Sequence, residues 1–176
     1  MLMASNSVNF TIVSWNVRGL GDADKCKLVK DSLLTARVDI ACLQESKLRT
    51  ITSAKPRSFL PPHLTDFHCA EAVGSRGGII TAWNARAFTA SAYIARRHTL
   101  TSFFTSTSSD TVFAITNVYA PADHRDSRSF LDDLSTIAAQ VPGNWFLMGD
   151  FNLIRGVRII TTGLLTSRSH RLSMTR

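Results

Sequence analysis

Six polar residues stand where apolar segments stop. Asn16 follows "TIVSW", Glu45 follows "DIACLQ", Asn117 and Tyr119 close "VFAITNVYA", and Asp150 and Asn152 follow "WFLMG". Each segment reads as a β-strand, so four separate strands finish in a carboxylate, an amide or a phenol. In layered α/β folds rigid strands hold polar groups at a shared rim beyond their carboxyl ends, where acid, amide and phenol groups together can bind and orient a polar ligand. Taken singly, each residue has a plainer explanation. Asn and Asp suit the turns that end strands, which accounts for any one position without a site. Glu45 could merely face solvent. The joint occurrence at four strand ends is what favours a site.

The elements that would carry these residues follow from periodicity. "VNFTIVSW" (8–15) alternates as a strand and is closed by the turn residues of "GLGD". Asp24 is positioned to cap a helix over 25–37 in which Cys26, Val29, Leu33 and Ala36 share one face. "DIACLQ" (39–44) completes a strand–helix–strand unit of the parallel kind. The stretch 46–65 contains Pro56, Pro61 and Pro62 and reads as a surface loop. From 66 to 120, "DFHCAEA", "GGIITAW", "AFTASAYI", "HTLTSFFTST" and "TVFAITNVYA" predict an antiparallel or mixed meander. Asp123 or Asp126 then caps a helix to about 140, with Phe130, Leu134, Ile137 and Val141 as its buried stripe, before the strand "WFLMG". Helices flanking a strand-rich middle predict an α/β layered sandwich with two facing sheets.

Bulk properties narrow the partners. The chain has 176 residues, 44% of them hydrophobic, enough for one domain with a real core. Its net charge of +7 is unevenly placed, for Arg155, Arg158, Arg168, Arg171 and Arg176 follow residue 150 with no acid among them. That leaves fifteen basic and thirteen acidic side chains in 1–150, so the charge alone is weak support for a polyanionic partner. The Ser-, Thr- and Arg-rich segment 156–176 differs in kind and reads as a basic tail, separate from a domain over 1–155. No apolar run reaches the length of a membrane span, and the start has neither a basic region nor a small-residue cleavage pattern. A soluble, intracellular protein that is not secreted is therefore expected. Cys26, Cys42 and Cys69 are spaced for neither a disulfide framework nor a zinc site and read as reduced core residues. Trp15, Trp83 and Trp145 read as core, Gly77 and Gly78 as a turn or close backbone approach, Arg96 and Arg97 as a solvated pair, and His63, His68, His98 and His124 as surface or loop residues.

The segments "SWNVRGLG", "DIACLQESKL", "GGIITAW", "NVYAP" and "GDFNLIR", taken in order, resemble the motifs of the endonuclease/exonuclease/phosphatase superfamily. The resemblance is strongest to the endonuclease domain of plant LINE-type (non-LTR) retrotransposons and covers about 8–155. It implies a four-layer α/β sandwich and hydrolysis of phosphate esters with Mg²⁺, or with Mn²⁺ in its place, with DNA as partner and the nucleus as location if chromosomal DNA is cut. Glu45 would be the metal carboxylate with Asn16 beside it. Tyr119 would hydrogen-bond the phosphate with Asn117 near the same rim, Asp150 would orient or deprotonate the attacking water, and Asn152 would steady the phosphorus. The family's closing Ser-Asp-His segment has no counterpart here. His170 in "SRSHRL" lacks the preceding aspartate and is assigned no role. The resemblance thus describes the front portion of such a domain, truncated at its C-terminal end and impaired as an endonuclease. The alternatives are a catalytically inactive remnant that at most binds nucleic acid non-specifically, and a phosphomonoesterase of the same superfamily.

Overall fold

The computed structural model describes residues 10–52, 54–73 and 76–152, except for the side chains of Arg76 and His124. The segment 156–176 and His170 lie outside the described residues. Two four-stranded sheets face each other. The first contains β1 (Ile12–Asn16), β2 (Ile40–Gln44), β3 (Asp66–Val73) and β4 (Arg76–Trp83), in the order β1-β2-β4-β3. The second contains β5 (Phe88–Ala95), β6 (Thr99–Ser106), β7 (Val112–Tyr119) and β8 (Asn144–Asp150), in chain order. Both are mixed: β1 runs parallel to β2 and β7 parallel to β8, while the remaining pairs are antiparallel. The expected meander therefore splits into a hairpin in one sheet and three strands in the other.

The helices lie outside the sheets. α1 (Ala23–Thr35) buries Cys26, Val29 and Leu33 against Val17, Leu43 and Ile80. Its cap is Asp22, whose carboxylate accepts the Lys25 N–H at 2.8 Å; the sequence pattern pointed to Asp24, which lies instead in the first turn. The segment 46–65 departs further from expectation. It contains a short helix α2 (Pro56–Phe59), and Phe59, Leu60 and Leu64 are buried in the same core as α1. The proline that suggested a loop stands where proline suits a helix start, since its missing N–H would have no intrahelical partner there. α3 (Ser127–Ala138) packs Phe130 and Leu134 on Val118 and Ala120, on the outer face of the second sheet. The result is four layers, α/β/β/α.

Between the sheets, Ile40, Cys42 and Trp83 meet Phe88, Phe104, Phe113 and Ile115, and Phe10 stacks on Phe113. Cys26, Cys42 and Cys69 are free thiols, the first two buried, and burial pushes the Cys42 thiol up to about 12 against a smaller opposing hydrogen bond from Thr81. Trp83 is buried, whereas Trp15 and Trp145 are partly covered; the Trp145 indole N–H donates to Thr116 Oγ1 at 2.8 Å.

Of the histidines expected at the surface or in loops, His63 and His98 do lie between regular elements, whereas His68 departs by sitting within β3. His63 Nε2 bonds the Val38 carbonyl oxygen at 2.8 Å. His68 lies half-buried on β3, bonds Ser102 Oγ on the facing sheet at 2.9 Å, and packs against Trp83 and Tyr93. Burial lowers the His68 pKa below its ordinary 6.5, opposed in part by Asp66. Above that ordinary value the shift has no effect on stability. As pH falls through it, the unfolded chain takes up the proton more readily than the folded one, and the stability contribution is lost until the lower folded value is passed. In thermal melts from pH 7.5 to 5, His68→Gln should therefore lose less melting temperature than the unaltered chain. A gap that stays constant with pH would show that His68 carries no such linkage.

Candidate active site

The two parallel strand pairs bring four strand ends to one rim. Asn16 is the last residue of β1 and pairs in register with Gln44, the last of β2, so Glu45 emerges directly beside it. Tyr119 and Asp150 end β7 and β8 and are register partners. The sheets are joined at this rim by a side-chain bond: Asn16 Nδ2 donates to Asp150 Oδ2 at 2.7 Å across 134 residues of chain. β8 packs against both β1 and β2. Asn16 Oδ1 in turn accepts the Arg18 N–H at 3.1 Å, which fixes the amide's orientation.

Glu45 is held by its backbone as much as by its side chain. Its φ is +55°, in the left-handed region that costs a non-glycine residue energy, and Arg18 and Lys47 share that conformation at +53° and +57°. The strain is locked by bonds on both sides. Gly19 N–H donates to the Glu45 carbonyl at 2.7 Å, and Ser46 and Lys47 donate to the carbonyls of Gly78 and Gly77. Gly78 is needed for this close approach: its φ is +86°, and a Cβ there would run into Ser46 Oγ and press on Lys47 N. The Glu45 side chain is about four-fifths covered, and Lys47 Nζ lies 3.0 Å from its carboxylate Oε1.

Asn117 occupies a different place from the rim residues. It is fully buried between the sheets, on the same face of β7 as Phe113 and Ile115. Its Oδ1 accepts Gln44 Nε2 at 2.6 Å, and its Nδ2 donates to the carbonyl oxygens of Ile80 and Leu43 and to Thr81 Oγ1 at 3.0, 3.4 and 3.3 Å. Gln44 Nε2 also reaches Ser14 Oγ and the Cys42 carbonyl. Gln44 and Asn117 thus form a polar clasp between the sheets, one residue from Glu45 and two from Tyr119. The sequence reading missed Gln44, although a buried amide ending the apolar run "DIACLQ" was a usable signal. Asn152 lies just beyond Asp150, and its Nδ2 donates to the Ala120 carbonyl at 2.9 Å. Gly149 lets β8 lie close against β7 just before Asp150, since its φ is +153° and a Cβ would collide with the Val118 carbonyl. Arg96 and Arg97, expected as a solvated pair, face Asp133 and Asp126 at 3.9 and 3.2 Å.

A family model described as "Endonuclease/Exonuclease/phosphatase family" matches residues 13–163. The chain belongs to this family. The match contains all six rim and clasp residues named from the sequence and continues past Arg155. Solved structures share the family fold at low identity. The AP endonuclease LMAP from Leishmania major is 18% identical, with a TM-score of 0.56 over 80% of this chain and 54% of that one. Truncated TDP2 from Caenorhabditis elegans is 17% identical, with a TM-score of 0.58 over 86% and 66%. The endonuclease domain of TRAS1, a telomere-specific non-LTR retrotransposon, is 13% identical, with a TM-score of 0.60 over 83% and 62%. The chain spans roughly half to two thirds of the length of these structures. No curated protein matches. Among the described residues no helix is long and apolar enough to cross a membrane.

The donors at the family rim suit a hard cation. Among the described residues no three His, Cys, Asp or Glu side chains cluster as a metal site. What the rim offers is oxygen: the Glu45 carboxylate, the Asn16 amide oxygen and the Asp150 carboxylate. Few protein oxygens with water completing the shell is the Mg²⁺ pattern.

Proposed function

We propose that the chain is a phosphodiester hydrolase of the endonuclease type that cuts DNA with a divalent cation, Mg²⁺ in the first instance, and derives from a LINE-type retrotransposon. The observation that carries this reading is the 2.7 Å bond between Asn16 and Asp150, which joins two of the four polar strand ends at one lip and leaves Glu45 beside it. Under this reading the site works on DNA in the nucleus.

Glu45 and Asn16 would hold the cation, which when bound offsets the negative charge that builds on the phosphate during attack. Asp150 takes the proton of the attacking water. The amide of Asn16 restrains one carboxylate oxygen, so the other is presented in a fixed direction. Tyr119, one strand away in register, donates its phenol to a phosphate oxygen. Asn152 steadies the charge at phosphorus from the following turn. Asn117 and Gln44 contribute by fixing the spacing of the two sheets.

Incubation with supercoiled plasmid tests the proposal. Relaxed circles should form with Mg²⁺, and chelation should stop the reaction. Release of inorganic phosphate from small phosphate esters without nicking would replace the endonuclease reading with a phosphomonoesterase. Salt-sensitive DNA retention without any hydrolysis would identify an inactive binding remnant.

A further inference from the structure

The hairpin between β5 and β6 turns through Arg97 and His98, with Arg96 N–H donating to Thr99 O at 2.9 Å. Its tip is fastened to the α3 region by Arg97 to Asp126, Arg96 to Asp133, and the His98 ring set edge-on to Phe130 with centroids 6.2 Å apart. The regular β6–β7 ladder ends at Thr99 and Val118. Tyr119 lies one residue beyond, where a strand end would fray. His98 closes it twice: its backbone carbonyl accepts the Tyr119 N–H at 2.9 Å, and its ring Nδ1 lies 3.1 Å from the Tyr119 carbonyl oxygen.

A carbonyl oxygen can only accept, so this bond needs the imidazole proton on Nδ1. Nε2 is buried with no partner among the described residues. A side chain kept only to fill space beside Phe130 would do so better without an unpartnered buried nitrogen of this kind. The Nδ1–H bond is what the imidazole adds.

We infer that His98 is a positioning residue for the candidate site: it sets the backbone of Tyr119 from outside the rim. This rests on Tyr119 acting as the phosphate contact proposed above, but the backbone arm of its test does not. Amide exchange at Tyr119 and Ala120 should quicken in His98→Leu, which keeps the bulk and loses the donor. It should stay slow in His98→Asn, whose amide places an N–H near the same point, while both variants melt cooperatively near the unaltered chain. Unchanged exchange in His98→Leu overturns the inference whether or not the protein nicks DNA. Exchange that quickens equally in both variants also overturns it, since the donor would then be irrelevant. With activity in hand, His98→Leu should lower kcat about tenfold with KM nearly unchanged. In a Tyr119→Phe background the same change should have little further effect. Full additivity of the two losses overturns the inference, and a Tyr119→Phe variant as fast as the unaltered chain removes the phosphate role of Tyr119 instead.

Discussion

Glu45→Gln should slow Mg²⁺-dependent nicking by at least about a hundredfold, the scale of losing one charged group that acts on the transition state. The replacement keeps the size and shape of the side chain and alters neither the φ of +55° nor the bonds that Gly19, Ser46 and Lys47 make around it. Stability should therefore stay within about 0.5 kcal/mol, since the one ion pair lost is to Lys47, whose partly exposed ammonium limits what the pair adds. The measurement is the initial rate of circle relaxation at saturating Mg²⁺ beside a thermal melt. Equal rates for the two proteins would remove Glu45 from the site. A slow variant that also melts early would instead show that Glu45 serves the fold.

Asn117→Leu should act in the opposite manner, with its main effect on the fold. The replacement is of similar volume, yet it strands Gln44 Nε2, the Ile80 carbonyl and Thr81 Oγ1 without the amide they share in a fully buried place. Each stranded buried group costs about 1–3 kcal/mol, partly recovered where other partners remain, so a loss near 3 kcal/mol is expected. Urea unfolding reads this directly as a lower midpoint at unchanged slope. A midpoint within error of the unaltered chain would mean that the clasp adds nothing. Changing Gln44 and Asn117 together should cost less than the two single losses combined, because each single change leaves the other amide unmatched.

These two residues also mark what the sequence makes visible. Alternation and short apolar runs together placed the strands and, with them, the polar groups at their ends: Asn16, Glu45, Tyr119 and Asp150 do finish strands or follow them directly. Asn117 was within reach of the same logic. It shares its face with Phe113 and Ile115, so alternation points it inward, and an inward amide demands partners. Those partners could not be read, since Ile80, Thr81 and Gln44 reach it only once the two sheets face each other. The same holds for His98, whose partner is 21 residues away along the chain, and for His68, whose partner Ser102 is on the other sheet. The error over 46–65 had another cause. Prolines were weighed as loop formers, while Phe59, Leu60 and Leu64, too irregularly spaced to signal a periodic element, decided the outcome by burial.

The split of the rim between two sheets has a consequence for the protein's life in a cell. Glu45 is polymerised early and Asp150 more than a hundred residues later, and Asn16 can grasp Asp150 only when the eighth strand has been laid down. A ribosome-bound or half-assembled chain therefore exposes an acid without its companion. Whatever instrument this rim makes stays unassembled until synthesis has passed β8, so an unfinished copy carries the parts without the tool.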